Sequence, residues 1–124
     1  MNSKYNAALG AYETIKNLEI KDLNIGIGTG STSDIFTSSF LRKLSPKLGK
    51  IYSSSDATSN QIKKIGLTVE DSIPDERSID IYVDGADEVD RKLYLVKGGG
   101  GAHTKEKMLA DASKYFICIV DETK

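Results

Sequence analysis

The sequence predicts an α/β fold, a Rossmann-like doubly wound sheet that is mainly parallel and carries helices on both faces. Strand-like apolar segments alternate along the chain with helical segments, which is the pattern of βαβ units. Glycine-rich or acidic residues follow three of the strand-like segments, at the positions where parallel sheets bind ligands. We expect residues 1–124 to form a single domain, because a chain of 124 residues supports one hydrophobic core.

The first half of the chain contains two predicted helices and two predicted strands. Residues 23–28 and 50–54 are short apolar segments with the composition of strands. Pro46 and Gly49 are expected to end the second helix, which begins near residue 31. The apolar residues at helical spacing are Tyr5, Ala8, Leu9, Tyr12 and Ile15 in the first helix, and Ile35, Phe36, Phe40 and Leu44 in the second.

The second half of the chain continues the alternation of helices and strands. A helix is predicted to begin near Asp56 and to end at Gly66, since glycine accepts the left-handed conformation of a helix terminus. Residues 103–113 predict a further helix with one apolar face. The inward-facing residues of this last helix are Met108, Leu109 and Ala112. The strand-like segments are residues 67–71, 79–83, 93–96 and 114–120.

The charge balance and the single cysteine exclude several classes of protein. The 17 basic and 18 acidic residues give a net charge of −1, which provides no basic surface for nucleic acid or an anionic membrane. Cys118 lies within an apolar segment and is expected to be a buried strand thiol, so no disulfide framework is predicted. No stretch is typical of a signal peptide or a membrane span, and we expect a cytoplasmic protein with a small-molecule partner.

The first candidate site is the segment GIGTGSTS, residues 26–33, which follows the first predicted strand. Its glycines allow the backbone to approach a ligand, and its hydroxyls and amides lie at the start of a helix, where the dipole favours an anion. The segment lacks the lysine of a Walker loop and the third glycine of a dinucleotide-binding turn. It predicts either a phosphate site or a tight turn in which Ser31 caps the helix and Asp34 completes a capping box.

The second candidate site follows the most regular of the predicted strands. Asp84 and Asp87 are separated by Gly85 and Ala86, so that both carboxylates can point into one cleft. Paired acids at the end of a strand could bind sugar hydroxyls, hold a metal or share a proton.

The third candidate site is the segment KGGGGAHTKEK, residues 97–107. Four consecutive amides without side chains can line an anion site or an oxyanion hole, and Lys97 adds a cation at its edge. Glu106 falls in the first turn of the following helix, where the dipole favours an ionised carboxylate. His103 is expected to lie at the surface or to support the site without touching a ligand, because a metal site needs more ligands than the single histidine of this chain provides.

Five segments of the chain occur in an order and spacing typical of one family. They are GIGTGSTS, SSSDAT, IYVDGADEVD, KGGGGAHTKEK and FICIVDETK. Together they closely resemble the type A ribose-5-phosphate isomerases, and the resemblance extends over the whole chain. It implies reversible conversion of ribose 5-phosphate to ribulose 5-phosphate in the pentose phosphate pathway, through an enediolate and without a metal or organic cofactor.

The resemblance also implies roles for individual residues. Glu106 matches the family's catalytic carboxylate, which transfers the proton, and Lys97 with the loop amides would stabilise the enediolate. Asp84 and Asp87 would orient the substrate hydroxyls and assist ring opening. The implied substrate-binding residues are Thr29, Gly30, Ser31 and Thr32 in the first segment, Asp84, Gly85, Ala86 and Asp87 in the acidic segment, Lys97, Gly98, Gly99 and Gly100 in the glycine run, and Lys124.

Members of this family normally continue past the position of Lys124, through a small α+β domain and a final segment that returns to the first sheet. The resemblance therefore implies that residues 1–124 are a sugar-phosphate-binding catalytic domain, incomplete relative to the family, and that a full-length member forms a homo-oligomer. Two other classes share parts of the pattern, namely non-catalytic sugar-phosphate-binding modules and sugar-phosphate deaminases. The presence of Lys97 and Glu106 argues against a binding module, and the combination of DGADE with KGGGG fits the isomerase better than a deaminase.

Overall fold

A computed structural model gives the fold of residues 3–70, 72, 78–85, 108, 109 and 111–119. Helices and strands alternate in this part of the chain, as the sequence predicts. None of the described helices has the length and hydropathy of a membrane-spanning helix. The elements in chain order are α1 (Ser3–Lys16), β1 (Leu23–Ile27), α2 (Ser31–Ser39), a 3-10 helix (Leu41–Lys47), β2 (Leu48–Ser53), α3 (Asp56–Lys64), β3 (Ile79–Gly85) and β4 (Ser113–Ile119).

The described strands form one parallel sheet in the order β2-β1-β3-β4, which confirms the predicted parallel sheet. Ile25 on β1 pairs with Ile51 of β2 on one side and with Ile81 of β3 on the other. The chain therefore leaves β1 toward β2 and later adds β3 on the opposite side of β1. This reversal creates a switch point between β1 and β3, and ligands bind at the carboxyl ends of strands at such points.

Apolar side chains cover both faces of the sheet. Ile25 and Ile81 pack in one cluster with fully buried residues of the first two helices, among them Ile15 and Phe36. Tyr82 belongs to a second cluster with Leu109, one of the helical residues that precede β4. Because neighbouring residues of a strand point to opposite faces, helical residues cover each face, as predicted. Burial of one such side chain stabilises the fold by about 1.5–3 kcal/mol.

The second predicted helix is shorter than its apolar stripe suggests. It ends at Ser39, a 3-10 helix containing Pro46 follows, and Gly49 lies within β2 rather than closing a helix. The hydroxyls of Thr37 and Ser38 donate to carbonyls one turn earlier, at 3.0 and 2.9 Å, and such bonds weaken the end of a helix. Gly49 is required by its neighbour, because a Cβ there would lie 2.6 Å from Oδ1 of Asn24.

The segment after α3 is not a strand, contrary to the prediction for residues 67–71. Gly66 ends the helical region with a φ of 88°, as predicted. In the described residues 67–70, the N–H of Glu70 donates to the carbonyl of Ile51 at 2.8 Å, and Val69 is buried. The segment therefore lies along β2 without forming a ladder. Residues 93–96, also predicted to be a strand, lie outside the described residues.

Strand β4 is more exposed than its sequence predicts. Cys118 is exposed, so the prediction of a buried thiol is wrong, and Met108 is exposed although Leu109 and Ala112 are buried as expected. Within the described part of the chain, β4 has a strand on one side only, and the side chain of Tyr115 is 69% exposed. An apolar segment is buried only where other elements cover it, which periodicity alone does not reveal.

A polar network ties the amino ends of the strands together. Asn24 donates its backbone N–H to Asp80 at 2.8 Å and its side-chain amide to the carbonyl of Ser78 at 3.1 Å. Its Oδ1 accepts from the N–H of Lys50 at 2.8 Å, and Lys114 forms an ion pair with Asp80 at 3.3 Å. These contacts join residues on all four described strands, so the sheet is held together at the end opposite the candidate site.

Candidate active site

The candidate site lies at the carboxyl ends of β1, β2 and β3. The N–H of Gly28 donates to the carbonyl of Val83 at 2.8 Å, which extends the pairing of β1 and β3 past the end of β1. The N–H of Ser54 donates to the carbonyl of Ile27 at 3.0 Å on the other side. The backbone that leaves β1 is therefore fixed from both sides before it enters α2.

The turn of residues 28–32 leads directly into α2 and presents backbone amides at the helix start. Gly30 is the N-cap with a φ of 124°, a conformation that favours glycine, and its carbonyl accepts from the N–H of Asp34 at 2.9 Å. Among the described residues no side chain caps this helix, so the predicted capping box of Ser31 and Asp34 is not formed. A helix start without a side-chain cap favours an anion. Asp34 lies at the surface of the first turn, where partial desolvation raises the pKa of its carboxyl group.

A cation reaches this turn from α1. The ammonium of Lys4 donates to the hydroxyl of Ser31 at 2.8 Å, across 27 positions of the sequence. Helices α1 and α2 pack against each other, and this packing brings the first turn of α1 beside the first turn of α2. Lys4 was not predicted as a site residue, since no local pattern marks it and its position depends on how two helices pack.

Asp84 is fully buried at the end of β3. Its Oδ1 accepts from the N–H of Gly85 at 2.9 Å and from the hydroxyl of Ser33, on α2, at 3.4 Å. The carboxylate is therefore oriented by its own strand and by the helix that begins at the turn. The contribution of Ser33 was not predicted, although it is the last residue of the GIGTGSTS segment.

The carboxylate of Asp84 lies directly against the Cα of Gly28. A Cβ at position 28 would lie 2.1 Å from both Cγ and Oδ1 of Asp84 and 2.5 Å from Oδ2. These distances are far shorter than any van der Waals contact, so only glycine leaves room for the carboxylate in this position. The first and second predicted sites are therefore parts of one site.

Thr32 is a second point at which the turn of residues 28–32 approaches the end of β3. Its side chain is largely buried, and its Cβ lies 3.9 Å from the position that a Cβ on Gly85 would occupy. The structure thus brings the four predicted turn residues together with Asp84 and Gly85. The other predicted site residues lie outside the described residues: Ala86, Asp87, Lys97, Gly98, Gly99, Gly100, Glu106 and Lys124.

The hydroxyl of Thr29 faces the protein and contacts the SSSDAT segment, residues 53–58. Its Oγ1 lies 2.6 Å from Oγ of Ser54 and donates to Oγ of Ser55 at 2.9 Å. Ser55 is the N-cap of α3 and accepts from the N–H of Thr58 at 3.2 Å. The sequence marked this segment as typical of a family but assigned it no role.

Comparison with known proteins relates this chain to one family. The family model described as ribose 5-phosphate isomerase A (phosphoriboisomerase A) matches residues 50–124. Ribose-5-phosphate isomerase A of Bordetella bronchiseptica is 42% identical over 121 residues, which cover 98% of this chain and 53% of that protein. The chain thus spans about half the length of the curated relatives it matches.

Solved structures show the same architecture. The crystal structure of ribose 5 phosphate isomerase A from Neisseria gonorrhoeae is similar with a TM-score of 0.73 and 38% identity, over 98% of this chain and 52% of that chain. A D-ribose-5-phosphate isomerase in complex with phospho-erythronic acid is similar with a TM-score of 0.68 and 28% identity, again over 98% of this chain and 52% of the other.

Replacement of Gly28 by alanine tests the contact with Asp84. We expect Gly28→Ala to lower the free energy of unfolding by about 1–3 kcal/mol, because the new methyl group overlaps a buried carboxylate. Urea unfolding of the purified variants measures this. The control is Gly10→Ala on α1, where a Cβ meets no atom within 4 Å and a gain of about 0.5–1 kcal/mol is expected. A Gly28→Ala variant that unfolds at the wild-type urea concentration would contradict the contact.

Proposed function

Because the chain belongs to the ribose 5-phosphate isomerase A family, we propose that it interconverts ribose 5-phosphate and ribulose 5-phosphate. The observation that carries the proposal is the placement of an uncapped helix start, with its hydroxyls and a lysine, beside the buried carboxylate of Asp84. An anion-binding turn and an acidic group at one switch point suit a ligand with a phosphate at one end and hydroxyls along its length.

The phosphate would bind at the start of α2. The amides of residues 30–32 point out of the helix start, and the hydroxyls of Ser31 and Thr32 can donate to phosphate oxygens. The ammonium of Lys4 already contacts Ser31, so it would lie within reach of the same anion. A phosphate bound here would lie at the outer side of Thr32, with the sugar chain directed toward Asp84.

The reaction moves one proton between neighbouring carbons. A base removes the proton from C2 of the open-chain aldose, the electron pair forms the C1–C2 double bond, and the carbonyl oxygen becomes an enediolate oxygen. Transfer of the proton from the C2 hydroxyl to the C1 oxygen, and return of the removed proton to C1, give the ketose with its C1 hydroxyl and C2 carbonyl. We assign the base to Glu106, a role for which acid–base catalysis typically contributes about 10²–10⁴-fold.

The other assigned residues would hold the substrate and its developing charge. Lys97 and the amides of residues 98–100 would stabilise the enediolate, and each such donor contributes about 10²–10³-fold in known enzymes. Asp84 and Asp87 would orient hydroxyls and assist ring opening. The remaining assigned contacts are Gly85, Ala86 and Lys124. The proposal includes action without a metal or organic cofactor, a place in the pentose phosphate pathway, a cytoplasmic location and a homo-oligomeric full-length protein.

Phosphate recognition can be tested with the substrate and its unphosphorylated analogue. We expect Thr32→Val to weaken binding of ribose 5-phosphate by about 10- to 150-fold and to leave binding of ribose nearly unchanged, because a hydrogen bond to a charged group is worth about 1.5–3 kcal/mol. Titration calorimetry measures both affinities. Thr14→Val on the exposed side of α1 is the control and should change neither. Equal losses for ribose 5-phosphate and ribose would contradict the assignment.

The proton-transfer role of Glu106 can be tested by a neutral isostere. We expect Glu106→Gln to lower kcat at least about 100-fold while KM changes only a few-fold, since the amide keeps the shape but cannot accept the proton. A coupled assay of ribulose 5-phosphate formation measures both constants. Glu13→Gln, at an exposed position of α1, is the control and should keep the wild-type values. A raised KM with unchanged kcat would assign Glu106 to binding, and an inactive wild-type chain would contradict the proposed function.

A further inference from the structure

Four hydroxyl groups form a continuous chain of hydrogen bonds between α3 and the turn of residues 28–32, the proposed phosphate-binding segment that we call the phosphate turn. In order they belong to Ser54, Thr29, Ser55 and Thr58, with oxygen separations of 2.6, 2.9 and 3.1 Å. The last hydroxyl contacts the carbonyl of Gly28 at 3.4 Å. We call these four hydroxyls the hydroxyl relay. Ser54 and Thr58 are buried, so the relay is partly shielded from water.

The direction of the relay follows from its last acceptor. A carbonyl can only accept, so Thr58 must donate its single hydroxyl proton to Gly28. Thr58 then accepts from Ser55, and Ser55 accepts from Thr29, because each hydroxyl has one proton to give. By the same count, Thr29 accepts from Ser54. Reversal of the relay would remove the donor to the Gly28 carbonyl.

This direction determines what Thr29 can offer to a ligand. Its only hydroxyl proton is donated to Ser55, and one of its lone pairs accepts from Ser54. The remaining lone pair is an acceptor, which would repel the oxygens of a phosphate. Within the turn, Ser31 and Thr32 do not belong to the relay.

We infer that Ser54, Ser55 and Thr58 are positioning residues for the phosphate turn, and that Thr29 is held by them and offers phosphate its backbone amide but not its hydroxyl. The inference rests on the proposed function, since it concerns the same phosphate site. The relay connects the turn before α2 with the N-cap of α3, so both helix starts are fixed relative to Gly28.

A double-mutant cycle on Ser54 and Thr29 tests this inference in the full 124-residue chain. The variants are Ser54→Ala, Thr29→Val and the double variant, and the probe is phospho-erythronic acid, with unphosphorylated erythronic acid for comparison. We expect each single variant to bind the phosphorylated probe about 2- to 10-fold more weakly, the value of one hydrogen bond. The affinity of the double variant should be at most about 2-fold lower than that of the single variant that binds more weakly, because both changes break the same relay.

Two further variants and two further measurements make the test specific. Thr29→Ser keeps the hydroxyl and should recover most of the affinity lost in Thr29→Val. Ser38→Ala, an exposed serine of α2 outside the relay, should show no coupling to Thr29→Val. The ratio of affinities for the two probes should fall in the relay variants, whereas general destabilisation would weaken binding of both probes alike. The same cycle measured by urea unfolding should also be non-additive.

The possible results separate the two proposals. If Thr29→Val weakens binding of phospho-erythronic acid by the same factor in the wild-type chain and in the Ser54→Ala variant, the Thr29 hydroxyl is a direct phosphate ligand and the inference is overturned. Additive losses in the unfolding cycle would overturn the relay itself. If the wild-type chain binds neither probe, the proposed function fails, and the relay is then decided by the unfolding cycle alone.

Discussion

The buried carboxylate of Asp84 rests on the bare Cα of Gly28, and the geometry of the site depends on this contact. Gly28 directly follows β1, and Asp84 lies in the adjacent parallel strand β3, with the pairing of the two strands continued by the hydrogen bond from Gly28 to Val83. A side chain at position 28 would overlap the carboxylate at 2.1 Å. The same residue therefore starts the phosphate turn and provides the space in which the acidic group is held.

Other elements add groups to this contact in a definite order. Helix α2 begins at Ser31, and the hydroxyl of its residue Ser33 donates to the carboxylate of Asp84. Helix α1 contributes Lys4, whose ammonium donates to the hydroxyl of Ser31. On the far side, the hydroxyl relay holds the turn against α3. The proposed phosphate site and the buried carboxylate of Asp84 thus lie at the carboxyl ends of the same strands, and the polar network at the opposite end of the sheet keeps these strands in register.

Much of the fold could be predicted because periodicity and glycine placement are local signals. The parallel sheet, the bounds of α3 and the terminal Gly66 follow from such signals. The early end of α2 could not be predicted from periodicity, because the hydroxyls of serine and threonine side chains bond to carbonyls of this helix. The exposure of Cys118 and the arrival of Lys4 at Ser31 depend on which elements pack together, and the direction of the hydroxyl relay requires the geometry of four side chains at once.

We propose that the site at the carboxyl ends of these strands transfers a proton between C2 and C1 of a five-carbon sugar phosphate. The most direct measurement is proton NMR of ribose 5-phosphate incubated with the chain in deuterated water, with ribose incubated in parallel. If the proposed proton transfer occurs, we expect deuterium from the solvent to enter C1 of ribulose 5-phosphate as it forms and to replace the C2 hydrogen of ribose 5-phosphate on reversal, while ribose stays unlabelled. A ribose 5-phosphate sample that stays unlabelled, or ribulose 5-phosphate that forms without any solvent deuterium, would contradict it.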